Sequence, residues 1–318
     1  MSVIERAAKR LQEIGRATWQ PSGTEISAGP AHGVSDVRLA ALPGDRPSPA
    51  VVPDAAEALI ARSGKPRAQS RLVEIDIERL GRLGIVTPLD QKSRVAEEFR
   101  VIKRPILRNV AGEGAAPIAD ANLVMITSAL PGEGKSTTAV NLAVSIAMEL
   151  DHTVLLVDAD VSRPAIPALL GISTERGLLD LLTDETLDVS DVLLRTNVEK
   201  LSVLPSGQWQ AQATELLSSA SMSRLLKEMA KRYSDRIIIF DSPPLLPSNE
   251  SRALATLMGQ IVVVVCAEST THAVLKQALA AIETCPIKLM MLNKSRISAG
   301  TGYGNYGSYG YGYGSQSA

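Results

Sequence analysis

Aromatic residues make up only 3% of this 318-residue chain, which has two Phe, two Trp and six Tyr. Apolar residues still account for 45% of the sequence, so a folded core has to be built from Leu, Ile, Val and Ala. A chain of this length can hold one α/β domain of roughly 200 residues together with extensions. We therefore expect a core that depends on close aliphatic packing rather than on aromatic clusters.

Cysteine is almost as scarce, since Cys266 and Cys285 are the only two and neither stands at a metal-binding or CxxC spacing. This excludes an iron–sulfur protein and fits a reducing cytoplasm. No apolar run reaches the roughly 18 residues of a membrane-spanning helix, and the N-terminus lacks the apolar segment of a secretion signal. The formal net charge of -1 gives no reason to expect a nucleic-acid partner. We therefore expect a cytoplasmic protein.

The two ends of the chain differ in composition from its middle. Residues 1–18 place apolar residues at helical spacing, which predicts an amphipathic helix that either packs in the ordinary way or binds a partner or membrane surface. Residues 19–70 are rich in Pro, Gly, Ala and Ser and predict a disordered linker. Residues 298–318 are uncharged and rich in glycine, which predicts a flexible tail.

Residues 71–297 alternate apolar strands with helices and form the predicted folded domain. The strands are continuous runs of Val, Ile, Leu and Met, which are typical of a parallel sheet buried on both faces. The predicted strands are NLVMITSA, TVLLVDAD, LSVLPSG, RIIIFDSPP, QIVVVVCAE and IKLMMLNKS, and the predicted helices include 135–150, 178–194, 214–232, 250–258 and 271–283. We therefore predict an α/β fold with a mainly parallel sheet and helices on both faces.

The glycine-rich segment ALPGEGKST, residues 129–137, follows the first of these strands and opens a helix. This context is typical of a P-loop, in which backbone N–H groups and a helix N-terminus bind phosphate, and it makes the fold a P-loop NTPase type. Lys135 is predicted to contact the β- and γ-phosphates of ATP, and the Ser136 hydroxyl to bind Mg²⁺. A chance glycine-rich turn is the alternative. The predicted nucleotide-binding residues are Pro131, Gly132, Glu133, Gly134, Lys135, Ser136 and Thr137.

Three aspartates stand where two further strands end. Asp158 and Asp160 are two residues apart in VLLVDADVSRP, and Asp241 ends RIIIFD. Ligands of open α/β sheets bind at the carboxyl ends of the strands, and close carboxylates repel each other unless a cation lies between them. Mg²⁺ at the phosphates would meet that need. Helix capping by Asp160 and Ser162 and an ordinary strand-terminal role for Asp241 are the alternatives.

Five of the six tyrosines lie close to the C-terminus, within GYGNYGSYGYGYG. Taken alone, such a segment is as typical of an adhesive low-complexity repeat as of anything else. A nucleotide site upstream favours a second interpretation, in which these tyrosines accept phosphate. The predicted acceptors are Tyr303, Tyr306, Tyr309, Tyr311 and Tyr313.

Together, the P-loop, the DxD motif, the DSPP motif and the tyrosine cluster resemble the bacterial tyrosine kinases of exopolysaccharide synthesis. The segments DIERLGRLGIVTP and EEFRVIKRPIL resemble more narrowly the autokinases of exosortase and PEP-CTERM loci. The resemblance covers about residues 72–318 and implies an ATP-dependent autokinase that labels its tail in trans and regulates exopolysaccharide polymerisation and export. It implies catalytic roles for Lys135, Asp158, Asp160 and Asp241, with Asp160 as the base for the tyrosine hydroxyl, and Mg²⁺ contacts for Ser136, Asp158 and Asp241.

The same resemblance implies partners. Glu97, Arg100 and Lys103 match an ExxRxxR oligomerisation motif with Lys at the third position, so a ring of copies is expected. Because their spacing of three predicts a shared helix face, a solvated salt-bridge ladder is the alternative. A separate membrane polysaccharide co-polymerase is expected to activate the protein and to recruit it to the inner face of the plasma membrane. A counteracting tyrosine phosphatase is also expected.

A ParA/MinD-like partitioning ATPase is the competing interpretation of the P-loop. Proteins of that kind carry a lysine two residues before the GxGK core, where this chain has Leu130. They also need no tyrosine tail. The sequence therefore favours the kinase.

Overall fold

The computed structural model describes residues 70–114, 116–233 and 235–295 of the chain. The predicted N-terminal helix, nearly all of the predicted linker, and the predicted tail with its five tyrosines lie outside the described residues. Within the described part, no helix is both long and apolar enough to cross a membrane.

One sheet of eight strands organises the part of the chain that the structure describes. The strands are β1 (Leu72–Val73), β2 (Leu123–Ser128), β3 (Thr153–Asp158), β4 (Leu194–Thr196), β5 (Leu201–Leu204), β6 (Arg236–Asp241), β7 (Gln260–Cys266) and β8 (Ile287–Asn293). Their spatial order is β1-β4-β5-β3-β6-β2-β7-β8. Every neighbouring pair is parallel except β4 and β5, so the prediction of a mainly parallel sheet is confirmed.

The helices lie between these strands in the chain. They are α1 (Ile77–Arg82), α2 (Arg94–Val110), α3 (Lys135–Ala147), α4 (Ile166–Leu170), α5 (Leu178–Thr183), α6 (Val189–Val192), α7 (Ala213–Leu217), α8 (Ala220–Arg232), α9 (Asn249–Ala255) and α10 (His272–Ala280). Their alternation with the strands gives the predicted α/β architecture.

Two of the predicted helices are divided in the structure. The stretch 178–194 forms α5, α6 and the first residue of β4, because Asp188 caps a new helix by accepting a backbone hydrogen bond at 2.9 Å. The stretch 214–232 forms α7 and α8, because the Ser219 hydroxyl accepts the first capping bond of α8 at 3.2 Å. Asp and Ser are favoured N-caps, and these two interrupt helical patterns that are otherwise continuous.

Aliphatic side chains form the core on both faces of the sheet. Along β2, Leu123 and Met125 belong to the cluster on one face, while Val124 and Ile126 belong to the cluster on the other. Among the buried residues described, Phe99 and Phe240 are the only aromatic members of these clusters. The prediction of an aliphatic core is therefore confirmed. Close packing on both faces fixes the strands and therefore also the residues at their carboxyl ends.

Helix α2 carries the three residues predicted to mediate oligomerisation. Glu97 and Arg100 form an ion pair on its exposed surface. Lys103 is buried, where its ammonium donates to the Ser145 carbonyl at 2.6 Å and pairs with Glu149 at 2.6 Å. The prediction that all three share one face is therefore wrong for Lys103. Six residues correspond to about 600° of helical rotation, so Lys103 points roughly 120° away from Glu97.

We expect Lys103→Met to destabilise the domain by about 1–3 kcal/mol, because the Ser145 carbonyl loses its donor and Glu149 loses its partner. Urea unfolding followed by circular dichroism measures this change. The exposed Arg104 on the same helix offers a matched control, and Arg104→Met should change the free energy of unfolding by less than about 0.5 kcal/mol. Equal stabilities of the two variants would show that the buried ammonium contributes nothing net.

Candidate functional site

The P-loop connects the end of β2 to the start of α3. Gly132 and Gly134 have φ angles of 81° and 101°, in the left-handed region that favours glycine. A Cβ on Gly134 would lie 2.1 Å from the side-chain nitrogen of Asn293, so a larger residue cannot fit without displacing that side chain. Gly134 precedes α3 without a side-chain cap, which leaves the N–H groups of the first turn to bind an anion.

Glu133 braces the P-loop from within the protein. Its buried carboxylate accepts a hydrogen bond from the Leu130 N–H at 2.7 Å and another from the Thr270 hydroxyl. Thr270 lies in the turn between β7 and α10, so this carboxylate ties the loop to a second strand end. Sequence analysis predicts Glu133 as a nucleotide-binding residue. With its side chain used in this way, only its backbone is left for the predicted contact with nucleotide.

The end of β8 holds the P-loop from the other side. Asn293 donates to the carbonyl of Glu133 at 2.9 Å, and Lys294 donates to the carbonyl of Gly132 at 2.7 Å. Neither residue, nor Thr270, is among the residues predicted from the sequence. All three stand at or just after the carboxyl ends of β7 and β8, so the strand-end rule that finds the aspartates could also have found them.

Asp158 and Asp241 end the adjacent parallel strands β3 and β6 and are paired in register. Both residues are completely buried. Asp158 accepts one hydrogen bond from the Ile166 N–H at 3.1 Å, while its other oxygen and both oxygens of Asp241 have no hydrogen-bond partner. Buried polar atoms without partners are costly. Three such oxygens on neighbouring carboxylates therefore indicate a cation site.

Burial raises the pKa of Asp158 to about 8, and the charge of Asp241 adds to this shift. Burial also raises the pKa of Asp241 to about 6, against the opposing charge of Lys135. In the described ranges no group of three or more His, Cys, Asp or Glu could hold a metal. Mg²⁺ suits such a site, because it takes waters and substrate phosphate oxygens beside one or two carboxylates. Ser136, Asp158 and Asp241 would hold it.

Lys135 and Asp160 form an ion pair beside this cation site. The ammonium lies 2.6 Å from one Asp160 oxygen, and the two side chains are only 12% and 5% exposed. The other Asp160 oxygen accepts a hydrogen bond from the Arg163 N–H at 3.2 Å, which fixes the turn after β3. The carboxylate predicted to accept a proton thus contacts the ammonium predicted to bind phosphate.

The structure brings together the four residues predicted to be catalytic, Lys135, Asp158, Asp160 and Asp241. They come from the start of α3 and from the ends of β3 and β6. Glu97 and Arg100 take no part in these contacts. The tyrosines predicted to accept phosphate lie outside the described residues.

A glycine-rich loop between a parallel strand and a helix, with aspartates ending two other strands, defines a P-loop nucleotide-binding domain. Residues 121–294 match the sequence family described as an AAA domain. The chain is 33% identical over 225 residues to Tyrosine-protein kinase YwqD of Bacillus subtilis, covering 70% of this chain and 91% of that protein. It therefore belongs to the family of bacterial tyrosine-protein kinases.

A solved structure and a longer relative agree with this membership. The kinase domain of the Escherichia coli tyrosine kinase ETK is similar at a TM-score of 0.59 and 26% identity, covering 81% of this chain and 91% of that one. The Succinoglycan biosynthesis transport protein ExoP of Rhizobium meliloti is 31% identical over 191 residues, which are 59% of this chain but 23% of ExoP. The shared region therefore forms a small part of some relatives and nearly the whole of others.

We expect the metal-free protein to lose stability as the pH rises from about 4 to about 8, because Asp158 holds its proton longer when folded than when unfolded. The slope from one such group approaches roughly 1.4 kcal/mol per pH unit. Unfolding by urea in EDTA measures it. Asp158→Asn should remove the slope between about pH 6 and 8 and leave the part below about pH 6, where Asp241 also titrates. Mg²⁺ binds the ionised carboxylates, so it should stabilise the wild type more at high pH than at low pH.

The exposed Asp151 provides the control for this pH dependence. Asp151→Asn should keep the wild-type slope, since its side chain is hydrated in both states. A slope unchanged by Asp158→Asn would contradict the assignment of the pH dependence to the buried carboxylate.

Proposed function

We propose that this protein is a protein-tyrosine autokinase of the non-specific protein-tyrosine kinase type. It transfers the γ-phosphoryl group of ATP to the tyrosine cluster 303–313 of neighbouring copies, and this reaction regulates the polymerisation or export of an exopolysaccharide. The relatives support the proposal by name, since YwqD and ETK are tyrosine kinases and ExoP is a succinoglycan biosynthesis transport protein.

One observation carries the proposal. Asp160 lies just after β3, with one carboxylate oxygen 2.6 Å from the ammonium of Lys135, and lines a cavity together with Gly132 of the P-loop. A carboxylate that lines an open cavity beside the P-loop supplies a proton acceptor for an incoming hydroxyl, which transfer to tyrosine requires.

The residues divide the reaction between them. The P-loop backbone and Lys135 bind the phosphates. Ser136, Asp158 and Asp241 would hold Mg²⁺, which would supply charge neutralisation on the phosphates. The tyrosine oxygen attacks the γ-phosphorus as Asp160 takes its proton. The bond from the γ-phosphorus to the bridging oxygen breaks, and ADP leaves with that electron pair.

The ion pair couples nucleotide binding to the availability of the base. We propose that Lys135 moves from Asp160 to the phosphates when ATP binds, because the phosphates carry more negative charge than one carboxylate. ATP then frees Asp160 to receive the hydroxyl proton. A tyrosine that arrives before ATP meets a carboxylate already engaged by lysine.

Assembly and partners complete the proposal. We propose that copies form a ring through α2, where the exposed Glu97 and the half-buried Arg100 are available to a neighbour. Lys103 supports the motif from inside its own subunit. A membrane polysaccharide co-polymerase recruits and activates the protein at the inner face of the plasma membrane, and a tyrosine phosphatase reverses the labelling. The relationship to the exosortase-linked subgroup stays a prediction.

A mixing experiment tests both the activity and its direction. The acceptor is full-length Lys135→Met with an intact tail, and the donor is the full-length chain with Ala at all five tail tyrosines. With Mg²⁺ and ATP we expect phosphotyrosine on the acceptor only when the donor is present, as read by mass spectrometry of each tail.

Two outcomes would contradict parts of the proposal. Labelling of the wild type without labelling of the Lys135→Met acceptor would replace transfer in trans by transfer within one chain. A wild type that never labels Tyr303–Tyr313, even with the cytoplasmic segment of its co-polymerase, would overturn the autokinase itself.

We expect Asp160→Asn to lower the rate of tyrosine phosphorylation by roughly 10²–10⁴-fold, because an amide cannot accept the proton. Nucleotide affinity should be kept or raised, since Lys135 is released from its ion pair. Titration with a fluorescent ATP analogue and a phosphotyrosine assay separate the two effects, with Asp151→Asn as the exposed control. A collapse of nucleotide binding would show that Asp160 serves to position Lys135 rather than to act as the base.

A further inference from the structure

A cavity of about 330 Å³ lies beside the P-loop, between the turn that follows β3 and the loop that follows β6. Lys135 and Asp160 line its nearly buried inner end. The exposed Pro247 and the half-buried Glu250 line its outer end. Lys135 and Asp160 at the inner end belong to the proposed phosphate-transfer site, whereas Pro247 and Glu250 at the outer end have no role assigned above.

Three prolines form one wall of this cavity. They are Pro243, which is buried, Pro244, which is half-buried, and Pro247, which is exposed, so the wall runs from the inside to the surface. The carbonyl of Pro243 accepts hydrogen bonds from the Thr127 hydroxyl at 2.8 Å and from the Ser251 hydroxyl at 2.7 Å. The inner part of the wall is therefore fixed to β2 and α9.

The segment between Pro244 and Pro247 is fixed as well. The Arg252 guanidinium donates to the carbonyls of Leu245 and Leu246 at 2.9 and 2.7 Å. The Leu245 N–H donates in turn to the end of β2 at 2.8 Å. A wall preformed in this way loses little conformational entropy when a ligand packs against it.

The opposite side of the cavity is polar, with Ser162 and Arg163 exposed on the turn that follows β3. The space thus has an apolar wall, a polar wall and, at its inner end, a carboxylate. A flat apolar ring that carries one hydroxyl at its far end matches this arrangement, and among protein side chains that is tyrosine. Serine and threonine carry the hydroxyl too close to their backbone to bring it to the inner end from the mouth.

The acceptor segment repeats one chemical unit. Each of its five tyrosines is followed directly by glycine, namely Gly304, Gly307, Gly310, Gly312 and Gly314, whereas the preceding residue is Gly, Asn or Ser. Glycine lacks a Cβ and adopts backbone angles closed to other residues. A chain with glycine at this position can turn away from a wall immediately after its tyrosine.

We propose that this cavity is the acceptor subsite, in which the tyrosine ring packs against Pro243, Pro244 and Pro247 with its hydroxyl at Asp160. The glycine that follows the tyrosine passes Pro247 at the mouth. This inference rests on the proposed kinase activity and adds its substrate unit, the dipeptide Tyr-Gly. The subsite selects tyrosine because only a side chain of that length brings a hydroxyl from the mouth of the cavity to its inner end. It accepts all five tail tyrosines alike because each presents the same unit.

The test uses the full-length chain with Ala at the five tail tyrosines, and a separate peptide copied from residues 300–318 as acceptor. In this background Pro247→Ala should raise the KM for the peptide by about three- to tenfold through lost apolar contact, with the KM for ATP unchanged. Ser162→Phe fills the mouth and should lower kcat/KM for the peptide at least roughly tenfold. Pro286→Ala, at an exposed proline before β8, is the matched control and should change neither constant.

Two peptides test the substrate unit itself. A peptide with Val in place of the glycine after every tyrosine should be phosphorylated with a lower kcat/KM than the natural peptide. A peptide with Ser in place of every tyrosine should not be labelled. Unchanged peptide kinetics in both Pro247→Ala and Ser162→Phe, or equal labelling of the Ser peptide, would overturn the subsite while leaving the kinase standing. If the Tyr peptide and the wild-type tail both stay unlabelled, the proposed function itself has failed.

Discussion

Two carboxylates buried side by side constrain both the packing and the stability of this domain. Asp158 and Asp241 occupy neighbouring register positions with no exposure and with three oxygens unpartnered. Without a cation they are uncharged or repel each other at neutral pH, so they weaken the fold that contains them. The aliphatic packing on both faces of the sheet offsets this loss of stability. The same packing leaves the carboxylates no room to move apart. A cation with phosphate oxygens turns the same arrangement into a binding site.

The P-loop is held at points far apart in the sequence. Glu133 contacts Thr270 beyond β7, and the loop carbonyls accept hydrogen bonds from Asn293 and Lys294 at the end of β8. The loop is therefore joined to two strands besides the one that precedes it. These neighbours restrict the backbone angles that glycine alone would leave open, in a segment whose glycines Gly132 and Gly134 are in left-handed conformations.

Much of this arrangement follows from local sequence. Apolar runs ending in aspartate predict buried strands, and the P-loop predicts the strand and helix around it, so Lys135, Asp158 and Asp241 were expected to meet. Side-chain direction could not be obtained in this way. Lys103 turns inward because of Ser145, 42 residues later, and Glu133 turns inward because of Thr270, 137 residues later. No window of local sequence contains such partners.

Helical periodicity alone also did not reveal where the two long helical patterns are divided. Asp188 and Ser219 cap new helices inside stretches whose apolar spacing is otherwise continuous. The proline wall was also beyond prediction from the sequence. Pro243 and Pro244 follow the β6 aspartate in the chain, but the sequence does not show that they line one side of a cavity. Their position depends on the hydrogen bonds that Thr127 and Ser251 donate to the Pro243 carbonyl.

The contact between Lys294 and the P-loop carbonyl of Gly132 limits how far from the domain the tail tyrosines can reach. It fixes Lys294, which stands next to Ser295, the last described residue before the tyrosines proposed as acceptors. Tyr303 stands eight residues and Tyr313 eighteen residues beyond Ser295, so covalent geometry limits their reach to at most roughly 29 Å and 65 Å. A neighbour's cleft farther away than the first limit can be served only by later tyrosines. The pattern of labelled positions would then act as a ruler for the spacing between adjacent subunits.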